Sequence, residues 1–281
     1  MIRSIAVLSV VLAWGAGCSR EPVLLRQVKK VGIVNNIQQQ LVESVDAEKS
    51  AVLAVTDEES KEFAEESRRS AAKIDELRAS LAELIEIDPV RDEGEKLAVF
   101  DEKWKELKSI DARLLELAVA NTNLKASRLL AREGSATLDR FTTAVDAMMA
   151  TSTDVATLRA LATAATAVAR IQSLLFVHIP EASDAEMTSL EVRIGTLSET
   201  VDARLRDVGP SLPASAAKAD ATQAWADYQR ISAEVIRLSR LNTNVISFDV
   251  STHEKRTATR ACLDALADLR SAIQGGPNAT R

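Results

Sequence analysis

The sequence predicts an all-α protein built as two up-down four-helix bundles in tandem, the outcome of an internal duplication. Three observations carry this. The chain is 46% hydrophobic and 27% charged, with only nine Gly and six Pro in 281 residues, a composition that favours helix and rarely interrupts it. Its apolar residues recur at steps of three and four, the period of a helix with one buried face. A motif also occurs twice at one spacing. Trp104 is followed after sixteen residues by Asn121-Thr122-Asn123, and Trp225 after sixteen residues by Asn242-Thr243-Asn244. In a chain with 3% aromatic residues, that agreement marks one helical module used twice.

Residues 1–17 read as a signal peptide. Arg3 gives a positive start, Ile5 to Ala16 form an apolar run, and Gly15-Ala16-Gly17 precede Cys18. The run is too short to span a bilayer, which takes about 20 residues. Small residues before a cysteine look like a bacterial lipobox, with Cys18 acylated and made the mature N-terminus. Gly15 departs from that motif, which usually carries an aliphatic residue there. The alternative is ordinary secretion with Cys18 a bystander. Ser19 after the cysteine favours the periplasmic side of the outer membrane if the cell is Gram-negative. No second apolar stretch is expected to reach spanning length, so the chain would be anchored to a membrane by lipid without crossing it. The other cysteine, Cys262, shares a helical stripe with Leu266, Leu269 and Ile273. It reads as a core thiol, with an intermolecular disulfide as the alternative.

A tether over 18–25 leads into bundle 1, residues 26–150. Its first helix ends near Val55. Thr56 with Glu59 then forms a capping box, and the second helix follows a heptad seam through Phe63, Ser67, Ser70, Ile74, Leu77, Leu81 and Leu84. Asp88-Pro89 stops it, and Asp92 with Glu95 offers a further cap. The third helix carries Leu97, Phe100, Trp104, Leu107, Leu114 and Leu117, and the fourth Leu124, Leu138, Phe141, Val145 and Met148. Equal lengths with short connections indicate an up-down bundle. Bundle 2, residues 151–274, repeats the plan. His178-Ile179-Pro180 ends its first helix and Ser183 with Glu186 caps the second, which runs through Met187, Leu190, Ile194, Leu197, Val201, Leu205 and Val208. Gly209-Pro210 and Pro213 mark the next turn, and residues 275–281 form a tail. Between Met149 and Val155 two readings stand: a tight loop, or one helix of about 55 residues passing between bundles, about 80 Å long.

Asn and Thr suit a helix-to-helix turn, because Asn tolerates left-handed backbone angles and either residue accepts a backbone N–H. Asn121, Thr122, Asn123, Asn242, Thr243 and Asn244 are therefore read as turns, and Trp104 and Trp225 as packing anchors. The chain resembles the four-helix-bundle sensor domain of bacterial methyl-accepting chemotaxis proteins and related histidine kinases. The resemblance rests on Phe100-x3-Trp104, on Leu117-Ala118-x2-Asn121-Thr122-Asn123-x2-Ala126, and on Leu238-Ser239-Arg240-Leu241-Asn242-Thr243-Asn244-Val245-x-Ser247 followed by Lys255-Arg256 and Cys262. It implies an extracytoplasmic domain that detects small molecules such as amino or organic acids, often as a dimer, with two-bundle versions known. Those receptors continue into a second spanning helix and a cytoplasmic coiled coil, which this sequence is expected to lack, so a separate membrane receptor or kinase would read its state.

Basic residues gather at Lys125, Arg128 and Arg132 and again at Arg230, Arg237 and Arg240. Arginine forks suit carboxylates, but accompanying Glu and Asp favour solvated faces with paired charges. His178 and His253 show no metal-ligand spacing. A formal charge of −6 speaks against nucleic acid, which demands a basic footprint. No phosphate loop, haem motif or nucleophile–base set is present. The expectation is a non-enzyme without cofactor, either a sensor-type lipoprotein or a structural adaptor using homodimer or protein contacts.

Overall fold

A computed structural model describes residues 23–90, 92–212 and 214–275. The signal peptide, Cys18 and the last six residues of the tail lie outside the described residues. The elements are α1 (Val23–Leu53), α2 (Asp57–Ile87), α3 (Glu93–Ala120), α4 (Thr122–Leu129), a π-turn (Leu130–Gly134), α5 (Ser135–Ala150), α6 (Val155–His178), α7 (Asp184–Val208), α8 (Ala216–Leu241), α9 (Thr243–Val250), a second π-turn (Ser251–Lys255) and α10 (Arg256–Gln274). No strand occurs among them. Helix α1 starts at Val23, three residues inside the expected tether.

Helix starts follow local chemistry. Thr56, Ser183 and Ser215 each accept the backbone N–H three residues on, and Asp154 accepts those of Ala156 and Thr157; each such cap contributes about 1 kcal/mol. Asp154 therefore opens α6 after a short loop, which settles the 149–155 region as a break. Asp92 differs from expectation. Its backbone is left-handed at φ 68° and its side chain caps no N–H. Helix α6 also corrects the view that no second stretch is long and apolar enough to span a membrane. Much of its apolar character goes into the core, where Leu161, Val168, Ile171 and Leu175 are buried.

Two four-helix bundles result, but not the two halves of the sequence. Asn121 and Asn242 each form a one-residue break with left-handed φ of 50°. One residue cannot reverse a helix onto its neighbour, since such connections take about 2–5 residues. Each break bends the chain instead and carries it into the other bundle. Helix α10 packs against α3 and α1, while α4 and α5 pack against α8 and α6. The first bundle is α1, α2, α3 and α9–α10; the second is α4–α5, α6, α7 and α8. The expected boundaries 26–150 and 151–274 are thus corrected: the copies exchange their fourth helices, and the Asn-Thr-Asn segments are crossings, not reversing turns.

The cores follow this exchange. Ile37, Ile74, Phe100, Trp104 and Leu107 pack with Cys262, Leu266, Leu269 and Ile273 in the first bundle. Phe141 and Val145 pack with Leu161, Leu175, Trp225, Tyr228 and Val235 in the second. Trp104 donates from Nε1 to Asp75 Oδ1 at 2.7 Å and Trp225 to Asp202 Oδ1 at 2.6 Å. The duplication thus preserves the tryptophan's partner as well as the tryptophan.

Residues 122–241 contain a complete bundle in one stretch, so that fragment is expected to be helical and to melt in one cooperative transition by circular dichroism; a non-cooperative melt would contradict the exchange. Asn121→Ala should be less stable than Asn121→Gly by about 1–2 kcal/mol, because both lose the same amide and only Ala opposes a left-handed backbone. Chemical denaturation measures that difference.

Candidate functional site

The two Asn-Thr-Asn segments meet face to face at the waist. The first turn of a helix leaves N–H groups without intrahelical partners, and here each helix satisfies the other's. Thr122 N donates to Thr243 Oγ1 at 3.1 Å and Thr243 N to Thr122 Oγ1 at 3.2 Å. Asn123 N donates to Asn244 Oδ1 and Asn244 N to Asn123 Oδ1, both at 3.1 Å. Asn123 Nδ2 reaches Asn242 Oδ1 at 2.7 Å, and Asn244 Nδ2 reaches Asn121 Oδ1 at 2.8 Å. The waist is tied outward as well. Asn123 Nδ2 donates to Ile179 O and Asn242 Nδ2 to Glu181 O, which fixes the α6–α7 turn. Arg128 donates to Val55 O, and Lys125 pairs with Asp57, which fixes the α1–α2 turn. The bundles therefore meet end on.

Beside the waist, a cavity of about 420 Å³ opens between α1 and the chain from α9 to α10. Val45, Val52, Leu53 and Phe248 give it apolar walls, and Glu48, Ser251, Lys255 and Thr259 supply polar groups. Glu48 is 0% exposed and Lys255 2%. Lys255 Nζ stands 3.5 Å from Glu48 Oε2 and makes a closer pair with Asp111 on α3. Neither Glu48 oxygen accepts a hydrogen bond of ordinary geometry, and the Thr259 hydroxyl also lacks one. Burial is the largest influence on Glu48 and raises it above the ordinary carboxylate range, against the pull of Lys255 and Ser251. Burial raises Asp111 likewise, against Lys255. Two carboxylates sharing one ammonium out of water leave an unmatched charge, which is costly in a low-dielectric site.

The second π-turn supplies Ser251 and Lys255 to this site. Such turns often lie at functional positions, and nothing in the sequence signalled either of them. The buried triad was equally invisible, because Glu48 and Lys255 lie far apart in the chain and meet only through the exchanged helix.

The residues singled out in the sequence have other partners. Arg237 pairs with Glu234 three residues away. Arg240 binds Glu191 Oε1 at 2.6 Å, and Glu191 also meets His178 Nε2 at 2.9 Å. Arg240 followed by His178 holds the Glu191 carboxyl below its ordinary range. The buried His178 thus belongs to a network under the waist. Cys262 is buried in the first core and its thiol is pushed up to about 12, chiefly by burial, which leaves it little thiolate for reaction. Among the described residues, no group of three His, Cys, Asp or Glu is placed to hold a metal ion.

Long antiparallel helices and a polar joint linking two bundles describe a helical-bundle module. The chain belongs to the family described as the four helix bundle sensory module for signal transduction, whose family model matches residues 25–167. That span is half of the chain and runs from α1 into α6, so it crosses the exchange at Asn121. No curated protein and no solved structure matches.

Because burial raises Glu48 and Asp111, the folded state holds their protons more tightly than the unfolded state does. Their stabilising contribution is complete below the ordinary carboxylate range and falls as pH rises towards the raised native value. Glu48→Gln removes one such group. The melting temperature of the variant minus that of the parent should therefore grow between about pH 4 and about pH 7; a flat or falling difference in thermal melts would contradict the assignment.

Proposed function

We propose that this protein is an extracytoplasmic, lipid-anchored sensor-type helical bundle that binds a small solute and passes the resulting state to a separate membrane protein, a receptor or kinase. The observation that carries the reading is the continuity of the cavity wall with the second bundle. The helix bearing Ser251, Lys255 and Thr259 runs back through Asn242 into α8. A solute that repositions this wall in the first bundle acts directly on the crossing and on a helix of the second. Membership of a sensory-module family supports the same reading.

The anchor is Cys18, acylated after removal of residues 1–17. Several acyl chains hold a protein stably, since each buried CH₂ contributes about 0.8 kcal/mol. In a Gram-negative cell the protein then sits at the periplasmic side of the outer membrane. The family role and the absence of a nucleophile–base motif support a non-catalytic function without cofactor.

A structural or adaptor lipoprotein that makes homodimer or protein contacts is the second reading. Leu53, Val55, Leu241, Ile246 and Phe248 favour it: all are large apolar residues exposed in the segments next to the crossing and the α1–α2 turn, and exposed apolar surface can serve as an interaction site.

Cys18→Ser should move the protein from the membrane fraction to the soluble extracytoplasmic fraction, and unchanged membrane retention would refute the anchor. Crosslinking in intact cells should capture a membrane receptor or kinase with the anchored protein. Capture of the protein's own second copy alone would favour the adaptor reading.

A further inference from the structure

We propose that the cavity beside the second π-turn binds a small primary monoamine, with its ammonium head against Glu48 and its hydrocarbon body along Val45, Val52 and Phe248. This deepens, and rests on, the solute-sensing reading above. The charge of the floor selects the head group. Lys255 is committed to Asp111 and stands 3.5 Å from Glu48, so the buried groups carry one carboxylate in excess. Glu48 faces Ser251 and Lys255, yet neither of its oxygens accepts a hydrogen bond of ordinary geometry, and the Thr259 hydroxyl lacks one too. An ammonium brings three donors and one positive charge to those acceptors. An anion at the same place would meet the Glu48 carboxylate, the one carboxylate among the lining residues, while Lys255 is already paired with Asp111.

The walls and the mouth select the remainder. Four apolar side chains line the cavity, and its 420 Å³ falls within the size of small-molecule sites. Lys49 and Arg256 line its edge and are exposed. They repel a second positive charge, so a monoamine is preferred over a diamine of equal length.

The second bundle shows that the fold does not require these charges. Lys255 lies 121 residues after Gly134 and Asp111 lies 121 before Ser232, the spacing of the Asn-Thr-Asn motifs. Along α1 and α2 the copies run 127 apart, as from Thr56 to Ser183 and from Asp75 to Asp202. By that register Glu48 corresponds to Leu175. The counterpart site therefore holds Gly134, Ser232 and Leu175 around an equivalent π-turn. One copy builds this position from small and apolar groups, while the other buries an unbalanced carboxylate beside a cavity.

The test titrates the purified full-length chain with pentylamine, 2-phenylethylamine, 1,5-diaminopentane and pentanoate by calorimetry, with thermal melts in parallel. The monoamines should bind and raise the melting temperature, and the diamine should bind at least tenfold more weakly. Glu48→Gln, a near-isosteric change whose fold is checked by circular dichroism, should weaken monoamine binding at least tenfold. Equal binding by parent and variant, or equal binding of monoamine and diamine, would overturn the proposal. If pentanoate binds instead and Lys255→Met abolishes it, the amine site is wrong and the solute-sensing reading survives. If no compound binds, the amine site falls, and the anchoring and partner experiments alone then decide the wider reading.

Discussion

The crossing at the waist is the constraint on which the rest of the molecule depends. Two helices begin there, each with backbone donors that have no partner in their own helix. Buried N–H groups left unpaired cost about 1–3 kcal/mol each, and the crossing satisfies them with oxygens from the opposite copy. Thr122 and Thr243 exchange equivalent bonds, as do Asn123 and Asn244. Neither segment is satisfied alone. The left-handed backbone at Asn121 and Asn242 aims the helices so that this exchange closes, and once it closes each fourth helix has only the opposite bundle to pack on.

That arrangement places chemistry where neither half of the chain could assemble it. Glu48 comes from α1, Asp111 from α3 and Lys255 from the second π-turn at the far end of the sequence. They contrast with another buried ion pair of the first bundle, Lys30 and Glu93, whose Nζ and Oε2 lie 2.6 Å apart while Nζ also donates to Asp88 O. That pair matches one cation to one anion and fixes the α2–α3 turn against α1. The triad beside the cavity is unbalanced, and the same fold is complete without it in the second bundle.

Much of the architecture was legible in the sequence because the signals were local. Apolar steps such as Ile74 to Leu81 marked buried faces, and Thr56 and Ser183 marked helix starts through bonds spanning three residues. The paired Trp and Asn-Thr-Asn set the register of the copies. What escaped was long-range. Asn suits both a reversing turn and a bend, and only the one-residue length of the break, fixed by bonds to a motif 121 residues away, separates the two. The buried triad escaped for the same reason, since a lone Glu and a lone Lys on amphipathic helices read as solvated face residues. The π-turns have no compositional signature, as Leu130–Gly134 and Ser251–Lys255 share only a glutamate at their fourth position.

Reciprocal contact between identical residue types is what a two-fold axis produces. In a symmetric homodimer residue i of one subunit meets j of the other and j meets i, and a threonine on the axis meets its own copy. Thr122 against Thr243, and Asn123 against Asn244, have that form within one chain. The exchanged fourth helices then correspond to a swapped dimer of half-length subunits whose ends are covalently joined between Ala150 and Val155, where α5 gives way to α6. Fusion freed each half from identity with the other while the axis held them in register. One half carries a glycine at the end of its π-turn, and the other carries a lysine there.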